Sequence, residues 1–364
     1  MQAQKGFTMN NELNQKNKKM KSVVYAILAA ALYGISSPVS KLLLVGLSPT
    51  FMAALLYLGA GFGMLIVHLL LRRTRSGGNE ARLTKKELPF IILMILLDIA
   101  APILLMFGLL RTSSANASLL NNFEIVATSI ISLFLFKEAI GKRMWIAIAL
   151  ITFSSMLLTL DDPMALKFSF GSFLVILACI CWGFENNTTR KLSIKDPMQI
   201  VIIKGIGSGI GSLLITLQSG ELSFIPSYIL PALLLGFGAY GISIYFYILA
   251  QRDLGAARTS AYYAVAPFIG VMISFLIFGT NLSSVFIIAL VIMVFGTYFT
   301  VTENHGHLHV HEEMIHEHKH SHDDFHHDHQ HEPAFKGEHS HMHIHEEKEH
   351  VHEHSPDIHH RHKH

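Results

Sequence analysis

Ten apolar stretches, each near the length of a bilayer-spanning helix, fill the chain up to Thr302. A hydrocarbon core about 30 Å thick is crossed by roughly 20 helical residues, and no backbone group can go unpaired in lipid. The stretches run from Val23 to Val45, Pro49 to Leu71, Leu88 to Leu110, Ala115 to Phe136, Met144 to Leu160, Phe168 to Thr189, Gln199 to Leu217, Ile229 to Ala250, Thr259 to Phe278 and Leu282 to Val301. The fifth is short and the sixth turns polar at its end. With 51% hydrophobic and 15% charged residues, and a mean hydropathy of +0.41, most of this chain does not have water as its solvent.

The net formal charge of +2 conceals a divided molecule. Of the 28 Lys and Arg only 5 follow Thr302, against 14 of the 26 Asp and Glu, and His68 alone of the 24 His precedes it. The expected organisation is a basic N-terminus at 1–22, five-helix halves at 23–160 and 161–302, and a tail at 303–364. The tail's low hydrophobicity and dense charge predict disorder. Lys and Arg gather before stretch 1 (Lys16, Lys18, Lys19, Lys21) and between stretches 2 and 3 (Arg72, Arg73, Arg75, Arg82, Lys85, Lys86). They gather again between stretches 4 and 5 (Lys137, Lys142, Arg143), after 6 (Arg190, Lys191, Lys195) and after 8 (Arg252, Arg258). Because such an excess marks cytoplasmic loops, both termini are expected inside a bacterial inner or plasma membrane, which demands an even number of spans and favours ten over nine. The first stretch is longer than a signal-peptide core and reads as a retained span. Cys179 and Cys181, both within the sixth stretch, offer neither a disulfide framework nor zinc-finger spacing.

The two halves echo one another. Tyr33-Gly34 precedes Lys41 by the interval at which Trp182-Gly183 precedes Arg190; Gly59, Gly61 and Gly63 in stretch 2 answer Gly205, Gly207, Gly209 and Gly211 in stretch 7. Ser132 to Phe136 likewise matches Ser274 to Phe278. Five stretches separate each matching pair, an odd number, so the halves are expected to be inverted. The small residues at spacing four are suited to close helix crossings.

Three places carry a resemblance to a known group: Tyr33-Gly34 with Pro38 and Lys41, the run Asn121-Asn122-Phe123-Glu124-Ile125-Val126 through Phe136-Lys137-Glu138, and Gly255-Ala256-Ala257 to Pro267. On these, residues 22 to 302 resemble the drug/metabolite transporter superfamily and, within it, the EamA-type ten-helix transporters. The resemblance implies an all-α membrane protein of two inverted five-helix repeats that moves a solute by alternating access, and it names no substrate. Two positions depart from the family pattern: Ile125 stands where a proline is frequent, and the glutamate at Glu138 has Thr280 as its second-half counterpart.

An ionisable side chain at mid-bilayer costs at least about 2.5–3.5 kcal/mol, so each should meet a partner or a wet cavity. Glu124 lies near the centre of stretch 4, sharing a helical face with Asn121 and Thr128. Asp98 sits at similar depth in stretch 3, while Glu185 and Lys204 lie nearer the cytoplasmic ends of stretches 6 and 7. Trp182, Glu185, Asn186 and Thr189 share one face, as do Tyr33, Ser37 and Ser40 beside Pro38. The candidate solute-binding set is therefore Glu124, Asn121, Tyr33, Asp98, Trp182, Glu185, Asn186 and Tyr262, with Glu124 receiving a cationic group or a coupling proton. A permanent Glu124–Lys204 pair would instead make this a structural cluster, and Glu185, Arg190 and Lys41 could serve as interfacial ion pairs or snorkel to water. His68 reads as an interface histidine.

In the tail, His alternates with acidic or small residues. His305, His307, His309 and His311, then His316, His318 and His320, then His339, His341, His343 and His345 form candidate ligand runs for zinc, nickel, cobalt or copper. No cofactor is required by the reading. His316 to His320 spells the H-E-x-x-H string, but without a shaped cavity the string has no protease chemistry. Protonating all the tail His would reverse the tail's charge, so an acidic tail resting on basic loops could act as a gate. Two functions compete: a carrier of a small metabolite or drug-like solute, and a divalent-metal carrier with the tail as cytoplasmic buffer or sensor. A membrane-anchored metal sensor is a third, and nothing suggests an enzyme or a nucleic-acid partner. The expected partners are the solute, the lipid bilayer and protons, with an oligomer left open.

Overall fold

In lipid a chain must satisfy its own peptide groups, and the body of this protein does so with helices. The computed structural model describes residues 20–72, 81–136, 141–162, 167–279 and 283–302, together with four stretches of the tail. In order the helices are α1 (Met20–Leu43), α2 (Pro49–Arg72), α3 (Leu88–Arg111), α4 (Ser114–Leu120), α5 (Phe123–Phe136) and α6 (Lys142–Thr159). They continue as α7 (Phe170–Leu192), α8 (Pro197–Ser219), α9 (Pro226–Leu235), α10 (Ser243–Tyr263), α11 (Ala266–Phe278) and α12 (Ser284–Val301). Side-chain caps start several of them: Ser113, Ser169, Asp196 and Ser283 accept backbone N–H bonds from the first turns of α4, α7, α8 and α12. Among the described residues, eight helical segments are long and apolar enough to cross a membrane. The fifth and ninth stretches are also helical, the fifth as α6 and the ninth as the end of α10, a turn and α11.

Three of the spans are interrupted at mid-length. α1 is interrupted at Ile35, α4 and α5 are parted by a turn at Asn121-Asn122, and α10 and α11 by a turn at Ala264-Val265. Pro38 and Pro267 explain two of these, since each lacks the N–H that would bond the carbonyl four residues back. A different distortion occurs after α9, where Gly236–Ile242 winds as a π-helix. α10 itself folds back: a straight helix would part Tyr247 and Tyr263 by roughly 24 Å, yet their rings lie 5.0 Å apart.

The packing pairs corresponding helices of the two halves. α2 crosses α8, α6 crosses α12, and α4 meets α11, each joining stretches five apart in sequence. α3 packs on α7, and its counterpart under the same shift is the contact of α10 with α1, where the Ser243 hydroxyl donates to the Ala29 carbonyl at 2.8 Å and Tyr25 stacks on Phe246 at 5.3 Å. At the α2–α8 crossing the backbones touch: a Cβ on Gly61 would stand 2.6 Å from the Ile206 nitrogen, and one on Gly205 would strike the Gly61 backbone. The bundle's outside is apolar, with Phe134 and Leu276 about three-quarters exposed.

Two features differ from the composition-based expectation. The link between α6 and α7 carries a short antiparallel ribbon, Leu160–Asp162 against Lys167–Phe168. In the tail, where disorder is expected, the described backbone pairs Gly306–Val310 with Glu349–Glu353 and Met314–His320 with His339–His345. Alternating sequence has the two-residue period of a strand, which explains why these stretches run extended. Glu138, Thr280, His305 and His311 lie outside the described residues.

The glycine crossing generates a prediction. Gly205→Leu must push α2 and α8 apart, and overpacking of this kind costs roughly 1–3 kcal/mol; the purified variant should melt several degrees below the parent in a detergent thermal-shift assay.

Candidate functional site

The interruption at Asn121-Asn122 sets Glu124 on the first turn of α5, facing the polar side of α7. Asn186 Nδ2 donates to Glu124 Oε1 at 2.6 Å and to Thr128 Oγ1 at 3.3 Å. One residue on, Asn187 Nδ2 donates to the Thr128 carbonyl at 3.1 Å and the Gly183 carbonyl at 2.8 Å, fixing α7 against α5. Asn121, behind this contact, donates from Nδ2 to Ser37 Oγ of α1 at 3.5 Å.

A second polar group lies beside the first. Lys204 Nζ of α8 stands 3.1 Å from Asp98 Oδ2 of α3 and 2.9 Å from Glu185 Oε1 of α7. All three are buried, with Asp98 fully enclosed. The Tyr57 hydroxyl donates to Asp98 Oδ1 at 2.8 Å, and the Thr189 hydroxyl donates to Glu185 Oε1. Charges in such surroundings persist only when paired and hydrogen-bonded, so Lys204 is committed to Asp98 and Glu185. The alternative of a Glu124–Lys204 pair is corrected accordingly: among the described residues Glu124 makes no ion pair, and a neutral amide is its close partner.

Aromatic rings close the space between these groups. The Tyr33 ring meets Trp182 edge-on at 6.2 Å, Tyr240 at 5.7 Å and Tyr263 at 5.5 Å, while Tyr57 and Tyr240 lie 5.4 Å apart. Ser36 donates to the Tyr240 hydroxyl at 3.0 Å. A cavity of about 50 Å³ is bounded by these rings with Glu124, Glu185, Asn186, Thr189 and Lys204. A smaller one, about 20 Å³, is lined by Tyr33, Asn121, Asn122, Glu124, Tyr263 and Pro267 among others. Both halves of the chain contribute to each.

The structure thus brings Tyr33, Asn121, Glu124, Trp182, Glu185 and Asn186 to the cavities, and sets Asp98 behind Tyr57 and Lys204. Tyr262 is not among the lining residues; it packs against the small cluster of Ala26, Ala250 and Leu254. Its neighbour Tyr263 lines both cavities instead, since adjacent helical residues point about 100° apart. Lys41 and Glu185 do not pair: Lys41 donates to the Leu109 and Thr112 carbonyls at the end of α3, where a helix leaves acceptors free. Tyr57, Asn122, Tyr240, Tyr247 and Tyr263 are additions that sequence reasoning did not find. One signal was available for the tyrosines, which sit inside apolar runs although Tyr prefers the membrane interface.

Among the described residues no group of three or more His, Cys, Asp and Glu could hold a metal ion, so the divalent-metal carrier has no support there. Of the tail ligand candidates, His307, His309, His316, His318, His320, His339, His341, His343 and His345 fall in the strands whose backbone alone is described.

A bundle of apolar helices around a buried polar cavity built from two halves has the form of a membrane transporter. The chain belongs to the EamA-like transporter family, whose pattern matches twice, over residues 20–160 and 169–302. An "Uncharacterized transporter" of Methanothermobacter thermautotrophicus is 27% identical over 297 residues, covering 77% of this chain and 86% of its own. The "Uncharacterized transporter YyaM" of Bacillus subtilis is 23% identical over 233 residues, covering 61% of this chain and 75% of that protein. A solved structure described as "Crystal structure of protein" aligns with a TM-score of 0.57 at 17% identity over 76% of this chain and 94% of its own, a likeness of fold alone. The chain is an integral membrane protein of the drug/metabolite transporter superfamily.

Removing Lys204 strands two buried carboxylates. Lys204→Met should cost about 3–5 kcal/mol, read as a lower melting temperature, and Asp98→Asn added to it should recover part of the loss.

Proposed function

We propose that the protein is a secondary carrier that moves a small organic solute by alternating access, with the Glu124 cavity as its binding site. The observation that carries this is the placement of the cavity between the two family repeats, beside interruptions in α1, between α4 and α5, and between α10 and α11. Interrupted helices at a repeat interface are the usual construction of a carrier site. The cavities hold only a few waters as they stand, whereas small-molecule sites commonly measure about 300–1,000 Å³. Admitting a solute therefore requires the repeats to move apart on one side, which is the motion alternating access supplies.

In this reading the ten stretches all span, the repeats are inverted, and the Lys- and Arg-rich loops hold both termini in the cytoplasm of a bacterial inner or plasma membrane. Glu124 binds the solute or exchanges it for a proton. The tail binds zinc, nickel, cobalt or copper through its histidines and adjusts transport rather than performing it.

Glu124→Gln keeps the Asn186 contact but removes the charge. In proteoliposomes it should lower solute flux at least about tenfold, the effect of losing one charged contact of 1.4 kcal/mol or more, and flatten the response to a proton gradient; unchanged flux and unchanged gradient response would reject the site. Isothermal titration of zinc into the full chain should show several sites that a chain ending at Thr302 lacks.

A further inference from the structure

We infer that the cavity takes an alkylated organic cation bearing a hydroxyl or carbonyl group, and that Asn122 recognises that second group. This rests on the carrier reading and names its substrate class.

The charge arrangement comes first. Among the described residues that line the two cavities, Lys204 is the one cation beside Glu124 and Glu185, and it is held by Glu185 and by Asp98 behind it. Glu124 is left with a neutral amide, at the wall of a cavity where Lys204, already paired with Glu185 and Asp98, sits among Asn186, Thr189 and the rings of Tyr33, Trp182, Tyr240 and Tyr263. A carboxylate beside several aromatic faces attracts a diffuse cation, because the ring faces carry negative charge and lose little by excluding water. A metal ion is poorly suited, since it wants convergent oxygen or nitrogen ligands rather than ring faces. A zwitterion is disfavoured as well: its carboxylate would have to draw Lys204 away from two existing partners. An ammonium that carries alkyl groups instead of N–H donors matches a wall of rings.

An independent observation concerns Asn122. It is 1% exposed, and neither its amide nitrogen nor its amide oxygen has a hydrogen-bond partner. It lines the smaller cavity with Tyr33, Glu124 and Tyr263. Buried amides are nearly always paired, so an amide left open on both atoms beside Glu124 is poised for a group that donates and accepts. A hydroxyl does both, and a carbonyl takes the donor half.

The test uses the full chain in detergent and in proteoliposomes. Trp145→Phe leaves Trp182 as the one tryptophan, and its fluorescence reports occupancy during titration with choline, tetramethylammonium and 3,3-dimethylbutan-1-ol, the neutral carbon counterpart of choline. Choline should bind at least about tenfold more tightly than the neutral alcohol. Glu124→Gln should abolish that preference, Tyr33→Leu should weaken both cations, and Tyr33→Phe should restore them. Asn122→Ser, the milder change, or Asn122→Leu should remove the advantage of choline over tetramethylammonium while leaving tetramethylammonium unchanged. Equal binding of the neutral alcohol, or no saturable binding of either cation at millimolar concentration, overturns the cation assignment; a choline advantage that survives both Asn122 variants overturns the role of Asn122. A bound single water at Asn122 with no ligand effect does the same. Flux of a neutral or anionic solute would sink the cation class and leave the carrier standing, whereas choline binding with no flux of choline or any other solute would do the reverse.

Discussion

Lys204 is the point at which three helices from both halves of the chain must agree. Its ammonium lies between the Asp98 carboxylate of α3 and the Glu185 carboxylate of α7, and neither acid is exposed enough for water to take its place. In a low-dielectric interior the positions of such groups are constrained far more tightly than those of the apolar residues around them, because a displaced charge has no alternative partner. Holding α8 against α3 and α7 leaves Glu124 outside the pairing. The unequal division of three acids and one base is therefore what gives the cavity its character.

Helix association in lipid gains little from burying apolar surface, so the contacts that organise the bundle are of other kinds. Bare backbone at Gly61 and Gly205 lets α2 and α8 touch, and side-chain amides and hydroxyls bridge elsewhere, as Asn187 does between α7 and α5. The same economy explains the interruptions. Prolines at Pro38 and Pro267 and the turn at Asn121-Asn122 open the helices beside the polar groups that line the cavities. Family membership, drawn from matches to both halves, agrees with this paired construction.

Much of this was legible beforehand. Helical periodicity put Trp182, Glu185, Asn186 and Thr189 on one face, and all four line the larger cavity. It also joined Asn121, Glu124 and Thr128, and Asn186 bonds to the last two. Less was legible wherever the answer depended on two helices at once. The sequence offered Glu124 as the partner of Lys204, and finding Asp98 and Glu185 there instead needed the rotation of α3, α5 and α7 about their axes. Tyr262 and Tyr263 illustrate the same limit at finer scale: the turn at Ala264-Val265 sets which of two adjacent rings enters the cavity.

What the sequence determined alone was the solvent and the material of the fold. Twenty-odd apolar residues in a row have one stable form in lipid, and repeated small and polar residues at matching places in two halves have one economical arrangement. Those are local or composition-wide constraints, so one chain suffices to read them. Tertiary structure decided the pairing of Lys204, the enclosure formed by Tyr33 with Tyr57, Tyr240 and Tyr263, and the open amide of Asn122. Each depends on groups far apart in sequence coming within a few ångströms, and helical repeat fixes a residue's direction on its own helix without fixing what it meets.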